Sequence, residues 1–170
     1  MKHAVLVFVR AAAVPLLLAG CALQPVYSGG SRGVAAAGLA DIAVGPIANR
    51  AGYLLRGELA KRMGDPVDSP RYRLTVELDD QVLGFGIRGD NSVTRERRTL
   101  RARYTLVRTA DDTIVLDATA TSDAGIDRVS SDYAVVAAEN TALERLATSL
   151  ADQIVLRLAT FARTRDTAAR

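Results

Sequence analysis

Hydrophobic and polar residues alternate with a period of two in three successive segments of the chain. The first is Tyr72–Asp79, where the even positions are apolar and the odd positions polar. The second is centred on Leu100–Leu106 and the third on Ile114–Thr121. This period is typical of strands with one buried and one solvated face. Glycines from Gly84 to Gly89 and a turn at Ala110–Asp112 separate the segments, so we expect an antiparallel meander.

Two other segments show the period of about 3.6 that is typical of amphipathic helices. The shorter has Asn49 as its candidate cap and Gly64 placed to end it. The longer has Ser130, Ser131 and Asp132 as candidate caps and continues for roughly 30 residues, on the order of 40 Å. Its apolar stripe consists of Val136, Leu143, Leu146, Leu150, Ile154, Leu158 and Phe161.

A short strand over Asp41–Ile47, which ends at the break Gly45-Pro46, precedes the first helix. The predicted element order is therefore β-α-β-β-β-α. We expect an α+β fold, a two-layer α/β sandwich in which two helices pack on a four-stranded, mostly antiparallel sheet. A single domain is predicted over residues 39–165, followed by a frayed tail at residues 166–170.

Residues 1–20 have the layout of a secretory signal peptide, because a basic start and an apolar run lead into Leu18-Ala19-Gly20. The run falls short of the roughly 20 apolar residues of a membrane span. The small residues before Cys21 resemble the bacterial lipobox, in which the cysteine is alkylated with diacylglycerol. This resemblance implies anchoring at Cys21 through buried acyl chains. Residues 21–38, rich in Gly, Ser, Ala and Pro, are predicted to form a tether between the lipid and the fold.

The amino-acid composition limits which catalytic mechanisms and metal sites the mature chain could have. The only histidine is His3 and the only cysteine is Cys21. Zinc sites and cysteine or serine–histidine mechanisms are therefore excluded, and we expect neither catalysis nor a cofactor. Removal of the signal peptide also removes Lys2 and Arg10, so that the 22 basic residues become 20, against 19 acidic ones. We therefore do not expect nucleic acid to be a partner.

Arginines are concentrated between residues 88 and 103, where only Asp90 and Glu96 are acidic. Four of them share the polar parity of the second alternating segment and are expected to form a ridge on the solvated face. A guanidinium ridge suits phosphate or carboxylate recognition, or it pairs with acidic residues of neighbouring strands. Both interpretations stay open. The candidate binding residues are Arg95, Arg97, Arg88, Arg98, Arg101 and Arg103.

Several stretches of the chain share features with one known family. They are Cys21–Tyr27, Asn49–Arg56 with Leu59, Tyr72-x-Leu74-x-Val76, Thr94-Arg95 before Ala102-x-Tyr104-x-Leu106, and the long alanine-rich last helix. Together these stretches resemble the LptE family, the lipopolysaccharide-assembly lipoproteins of Gram-negative outer membranes. The resemblance covers nearly all of the mature chain.

The resemblance implies a lipid-anchored protein of the outer membrane that faces the periplasm and lies inside the lumen of the β-barrel translocon LptD. It implies a 1:1 complex, assistance in assembly of the barrel, and binding of lipopolysaccharide. Arg95 is then the first candidate for holding lipid phosphates, followed by Arg97 and Arg88. The alternative is an auxiliary envelope lipoprotein of a lipid-transport complex that acts only through protein–protein contacts.

Overall fold

The computed structural model describes residues 34–87 and 93–168 of the chain. In chain order, its elements are α1 (Val34–Ala40), β1 (Ile42–Val44), α2 (Asn49–Met63), β2 (Tyr72–Ile87), β3 (Val93–Arg108), β4 (Ile114–Asp127) and α3 (Asp132–Ala168). The predicted α+β class and four-stranded sheet are confirmed, with three helices in place of the expected two.

The four strands form one sheet in the order β1-β2-β3-β4. β1 pairs with β2 in parallel, and the other neighbours are antiparallel. Tyr72 lies opposite Arg108 and Ala102 opposite Ala120, so even-numbered residues of β2, β3 and β4 share one face through most of the sheet. This helix-covered face holds Leu74 and other fully buried residues. The odd-numbered residues form the opposite, solvated face.

The helices cover the even-numbered face as one layer. α2 lies beside α3 and runs in the same direction, because Arg50 donates to Asn140 near one end and Arg62 to Asp152 near the other. The 37 residues of α3 correspond to a length of about 55 Å. The helix continues to Ala168, beyond the start of the predicted tail.

α1 was not expected from the sequence, and it begins inside the stretch predicted to be a tether. Leu39 is buried in the core. A Cβ atom added to Gly38 would lie 2.4 Å from the Cβ of Ala162, so α1 approaches α3 more closely than any larger residue would allow. The small residues that suggested a tether are thus the ones that permit this packing. Residues 21–33, including Cys21, lie outside the described residues.

The observed ends of α2 and α3 agree in part with the ends predicted from the sequence. α2 begins at Asn49, but Asn49 is its first residue and not its cap, and Ala48 before it makes no side-chain cap hydrogen bond. Gly64 ends α2 with φ 75°, and its N–H donates to the carbonyl of Ala60. Ser131, one of the three predicted caps of α3, accepts from the backbone N–H of Ala134 through its hydroxyl.

Two glycines of α2, one buried and one exposed, form a matched pair that tests how closely the helix packs against the preceding segment. A Cβ atom at the buried Gly52 would lie 2.6 Å from the carbonyl oxygen of Ile47, whereas one at the exposed Gly57 would meet nothing within 4 Å. We expect Gly52→Ala to destabilise the fold by about 1–3 kcal/mol through overpacking. Gly57→Ala should stabilise it by about 0.4–1 kcal/mol through the lower entropy of the unfolded chain. Urea unfolding of both variants measures the difference, and equal effects would contradict the packing of α2.

Candidate functional site

The solvated face of the sheet carries three neighbouring columns of side chains. The column on β2 runs from Thr75 to Phe85 and the column on β4 from Asp117 to Asp127. The central column, on β3, contains four of the predicted arginines at exposed positions. They are Arg95, Arg97, Arg101 and Arg103.

Two of these arginines pair with carboxylates of β4. The distance from Arg95 Nε to Asp127 Oδ1 is 2.9 Å, and that from Arg103 Nη2 to Asp117 Oδ2 is also 2.9 Å. The hydrogen bond from Arg103 lowers the pKa of the Asp117 carboxyl. Exposed pairs of this kind contribute little to stability, because solvent screens them. Both guanidinium groups therefore remain available to another anion.

The other two arginines of the central column form no ion pair with any described residue. The guanidinium carbon of Arg97 lies 5.6 Å from the centre of the Phe85 ring, within the range of a cation–π contact. Arg101 lies in a shallow depression on the solvated face. The depression is lined by Asp79, Gln81, Thr99, Arg101, Thr119 and Thr121.

Exposed apolar side chains lie beside the first two arginines. Leu83 is opposite Arg97 and Phe85 is opposite Arg95 in the register, and their exposures are 63% and 41%. We call these four residues the amphiphilic patch. Sequence reasoning missed its apolar half, because Gly84 and Gly86 were interpreted as the end of the strand. The odd parity of Leu83 and Phe85, which continues that of Asp79, was the available signal.

Arg98 belongs to the same cluster in sequence but lies on the helix-covered face. Its Nε and Nη2 atoms donate to the two carboxylate oxygens of Asp80 at 2.9 and 2.6 Å, and Nη1 donates to the carbonyl of Glu139 in α3 at 3.2 Å. Its side chain is only 14% exposed. Arg98 therefore connects β2 to the first turns of α3 and is not directed at the solvated face.

Glu96 is also on the helix-covered face, where it is the buried charged residue of the described chain. Its Oε1 accepts from Arg128 at 2.5 Å, while Oε2 has no hydrogen-bond partner among the described residues. Ile126 lies opposite it on β4 and is also buried. Both residues lie outside the main cluster of buried apolar side chains.

Two predicted site residues, Cys21 and Arg88, lie outside the described residues. Within residues 34–87 and 93–168, no cluster of three or more His, Cys, Asp or Glu side chains could hold a metal ion. No helix in this part of the chain is sufficiently long and apolar to span a membrane. What the described side chains offer is a binding surface for anions and apolar groups.

Comparison with known sequences identifies one family. The sequence model of the lipopolysaccharide-assembly family LptE matches residues 39–158, from the end of α1 into α3. No curated protein matches the chain.

Several solved structures have a similar fold. A lipoprotein of Caulobacter crescentus CB15 is 24% identical over 76% of this chain and 96% of that chain, with a TM-score of 0.62. The minor lipoprotein of Acinetobacter baumannii is 14% identical over 70% and 90% of the two chains, with a TM-score of 0.56. The rare lipoprotein B of Shewanella oneidensis is 11% identical over 76% and 98%, with a TM-score of 0.52. At such low identities the likeness is one of fold alone.

The different surroundings of Arg98 and Arg103 predict different effects on stability. We expect Arg98→Ala to destabilise the fold by about 2 kcal/mol, because it leaves a partly buried carboxylate without its hydrogen bonds. Arg103→Ala removes an exposed pair from the same strand and should leave stability unchanged within error. Thermal unfolding of both variants at neutral pH tests this, and an equal loss would show that Arg98 does not connect β2 to α3.

Proposed function

The chain belongs to the LptE lipopolysaccharide-assembly family, and from this premise we propose that it is an outer-membrane lipoprotein that occupies the lumen of an LptD-type β-barrel. In this proposal it helps that barrel to assemble and binds lipopolysaccharide during its insertion into the outer membrane. Its role is binding and not catalysis. The observation that supports lipid binding most directly is the amphiphilic patch on the solvated face of the sheet.

The amphiphilic patch offers both kinds of group that a lipopolysaccharide presents. Lipid A carries phosphates, and guanidinium groups form bidentate, charge-assisted hydrogen bonds with phosphate oxygens. Leu83 and Phe85 are exposed immediately beside Arg97 and Arg95, where they can contact acyl chains. Binding of the phosphates by arginine would displace divalent cations and loosen lipopolysaccharide aggregates before insertion.

The contacts that Arg95 and Arg97 already make do not prevent them from binding phosphates. No described carboxylate pairs with Arg97. Its guanidinium group contacts the ring of Phe85. Arg95 pairs with Asp127, but both side chains are mostly exposed, at 64% and 77%. An exposed pair of this kind is worth little, so a phosphate can replace the carboxylate at small cost.

The membrane anchor in this proposal is Cys21, after cleavage of residues 1–20. Two or more acyl chains on one cysteine suffice for stable attachment to a bilayer. Ala22 follows it, whereas aspartate at that position generally retains lipoproteins at the inner membrane. The proposed location is therefore the periplasmic side of the outer membrane and the barrel lumen.

A second candidate function is that of an auxiliary envelope lipoprotein that contacts only proteins. The charge balance of the solvated face favours it, because five arginines are matched there by five carboxylates. These residues are Arg73, Arg95, Arg97, Arg101 and Arg103, with Glu77, Asp79, Asp117, Asp123 and Asp127. A mixed surface of this kind suits a protein partner with its own mixed charges.

Co-purification tests the proposed function first. A C-terminally tagged chain purified from native membranes in detergent should retain a large outer-membrane β-barrel in a 1:1 complex. Mass spectrometry should also show that the chain begins at Cys21 and carries acyl groups. Recovery of inner-membrane transporter subunits as the main partner would support the auxiliary function instead, and recovery of the chain alone would contradict both.

Charge reversal tests the role of the amphiphilic patch. We expect the double variant Arg95→Asp, Arg97→Asp to bind lipopolysaccharide at least tenfold more weakly, since it replaces two cations with anions that repel the phosphates. The matched control is Arg101→Asp, Arg103→Asp, which makes the same change on the same strand and face, away from Leu83 and Phe85. Its affinity should change much less.

Affinity is measured with purified lipopolysaccharide at fixed ionic strength, after circular dichroism has shown that both double variants are folded. Unchanged affinity of the first variant would rule out the patch as the binding site. Equal losses in the two variants would indicate general electrostatic attraction by the face as a whole.

A further inference from the structure

In the part of the chain that the structure describes, one edge of the sheet is unpaired along most of its length. β1 pairs only with Tyr72–Leu74, the first three residues of β2. In this pairing Tyr72 donates its N–H to the carbonyl of Asp41, and the carbonyl of Leu74 accepts from Gly45. The even-numbered residues of β2 therefore direct their backbone groups away from β3, since direction alternates along an antiparallel strand.

Beyond β1, these backbone groups have no strand to pair with among the described residues. Asp80, Val82 and Gly84 are even-numbered and exposed. Each directs one N–H and one carbonyl to the outside, and none of these groups has a described hydrogen-bond partner within residues 34–87 and 93–168. We refer to residues 79–86 as the open edge.

The opposite edge of the sheet, formed by β4, is protected against pairing with another strand, unlike the open edge. The outward carbonyl of Thr121 on β4 accepts from Gln153 Nε2 of α3 at 3.2 Å. Asp117, Asp123 and Asp127 also line that strand, and charged side chains discourage pairing with another chain. The open edge has charged residues only at its start, Asp79 and Asp80, and none from Gln81 to Gly86.

Apolar side chains are exposed on both faces of the open edge. Val82 is 44% exposed on the helix-covered side, and Leu83 and Phe85 are 63% and 41% exposed on the solvated side. Open backbone groups combined with apolar side chains are what a strand offers when another strand adds to it. A lipid could cover the side chains, but it has no regular row of donors and acceptors for the backbone.

We propose that the open edge of β2 binds an extended segment of a protein partner, which adds to the sheet as a further strand. Its backbone would bond to Asp80, Val82 and Gly84, which recur every second residue, at about 6.8 Å. The inference goes beyond the proposed function, because it holds whichever protein supplies the segment. β1 already occupies the start of the same edge in this way.

Neighbouring side chains define the chemistry of the partner strand. On the solvated face, Glu77 lies just before the open edge and Asp79 at its first position, and neither forms an ion pair with a described residue. Leu83 and Phe85 follow them on the same face. Adjacent strands favour opposite charges and matched apolar groups. The partner segment should therefore carry basic side chains beside Glu77 and Asp79 and apolar side chains beside Leu83 and Phe85.

Amide hydrogen exchange tests the inference on the intact complex. The tagged chain purified with its partner from native envelopes is compared with the same chain purified alone. We expect the amides of Asp80, Val82 and Gly84 to exchange at least tenfold more slowly in the complex. The outward amides of Thr119 and Thr121 on β4 serve as the internal control and should not change. Equal exchange at the open edge in both samples would overturn the inference.

Two proline variants provide a matched mutational test. Val82 and Thr119 both direct their N–H outward, so proline at either site removes no hydrogen bond within the sheet. Val82→Pro should reduce the recovery of the partner at least tenfold, whereas Thr119→Pro should not. Thermal unfolding checks that both variants are folded. Equal recovery with the two variants would contradict strand addition at β2.

Other occupants of the open edge give distinguishable results. Protection that appears when the isolated chain is concentrated would indicate a second copy, and protection by added lipopolysaccharide would indicate lipid. Either result overturns the inference. A barrel partner with an unprotected edge would overturn it while leaving the proposed function intact. Protection by a protein other than the barrel would support strand addition and contradict the proposed function.

Discussion

The fold depends on the burial of the apolar stripe of α3, except for the exposed Val136, against the even-numbered face of β3 and its neighbours. Leu143, Leu150, Ile154 and Leu158 are almost completely buried, as is Leu100 of β3 in the same core. Each such side chain contributes about 1.5–3 kcal/mol by leaving water. With a single cysteine and no tryptophan in the chain, aliphatic packing is the main force available. The alternation that places the even-numbered residues of β2, β3 and β4 against the helices also places their odd-numbered residues on the solvated face.

This constraint explains which features could be predicted from the sequence. A strict alternation identifies strands and faces, so the meander and the exposed positions of Arg95 and Arg103 could be inferred from parity alone. The same parity places Arg98 on the helix-covered face. Arg98 was nevertheless included among the candidate binding residues, because it lies within the same run of arginines in the sequence. Its bonds to Asp80 and to the backbone of α3 are long-range, and no local pattern contains them.

Two features, α1 and the far end of β2, were not predicted from local periodicity, although the odd parity of Leu83 and Phe85 continues that of Asp79. α1 has only seven residues, most of them alanine or glycine, so it shows no apolar stripe, and it is held by the close approach of Gly38 to Ala162. β2 continues past Gly84 to Ile87 because β3 pairs with it along this length. Glycine is unfavourable within an isolated strand, but a long antiparallel partner compensates for it. Both outcomes are set by tertiary contacts that single-segment patterns do not record.

The amphiphilic patch and the open edge share Leu83 and Phe85, and this overlap connects the two proposals physically. These side chains lie on β2 where it forms the edge of the described sheet, beyond β1, and Arg97 and Arg95 lie on the next strand inward. A strand added to β2 would move the margin of the sheet outward by about 4.8 Å and cover one flank of the patch. A lipid phosphate would then reach Arg95 and Arg97 from the β4 side or from above the solvated face. A partner strand with its own apolar side chains would enlarge the surface for acyl chains, whereas a polar one would restrict it. The side chains of the added strand would therefore help to determine how much apolar surface remains beside the arginines.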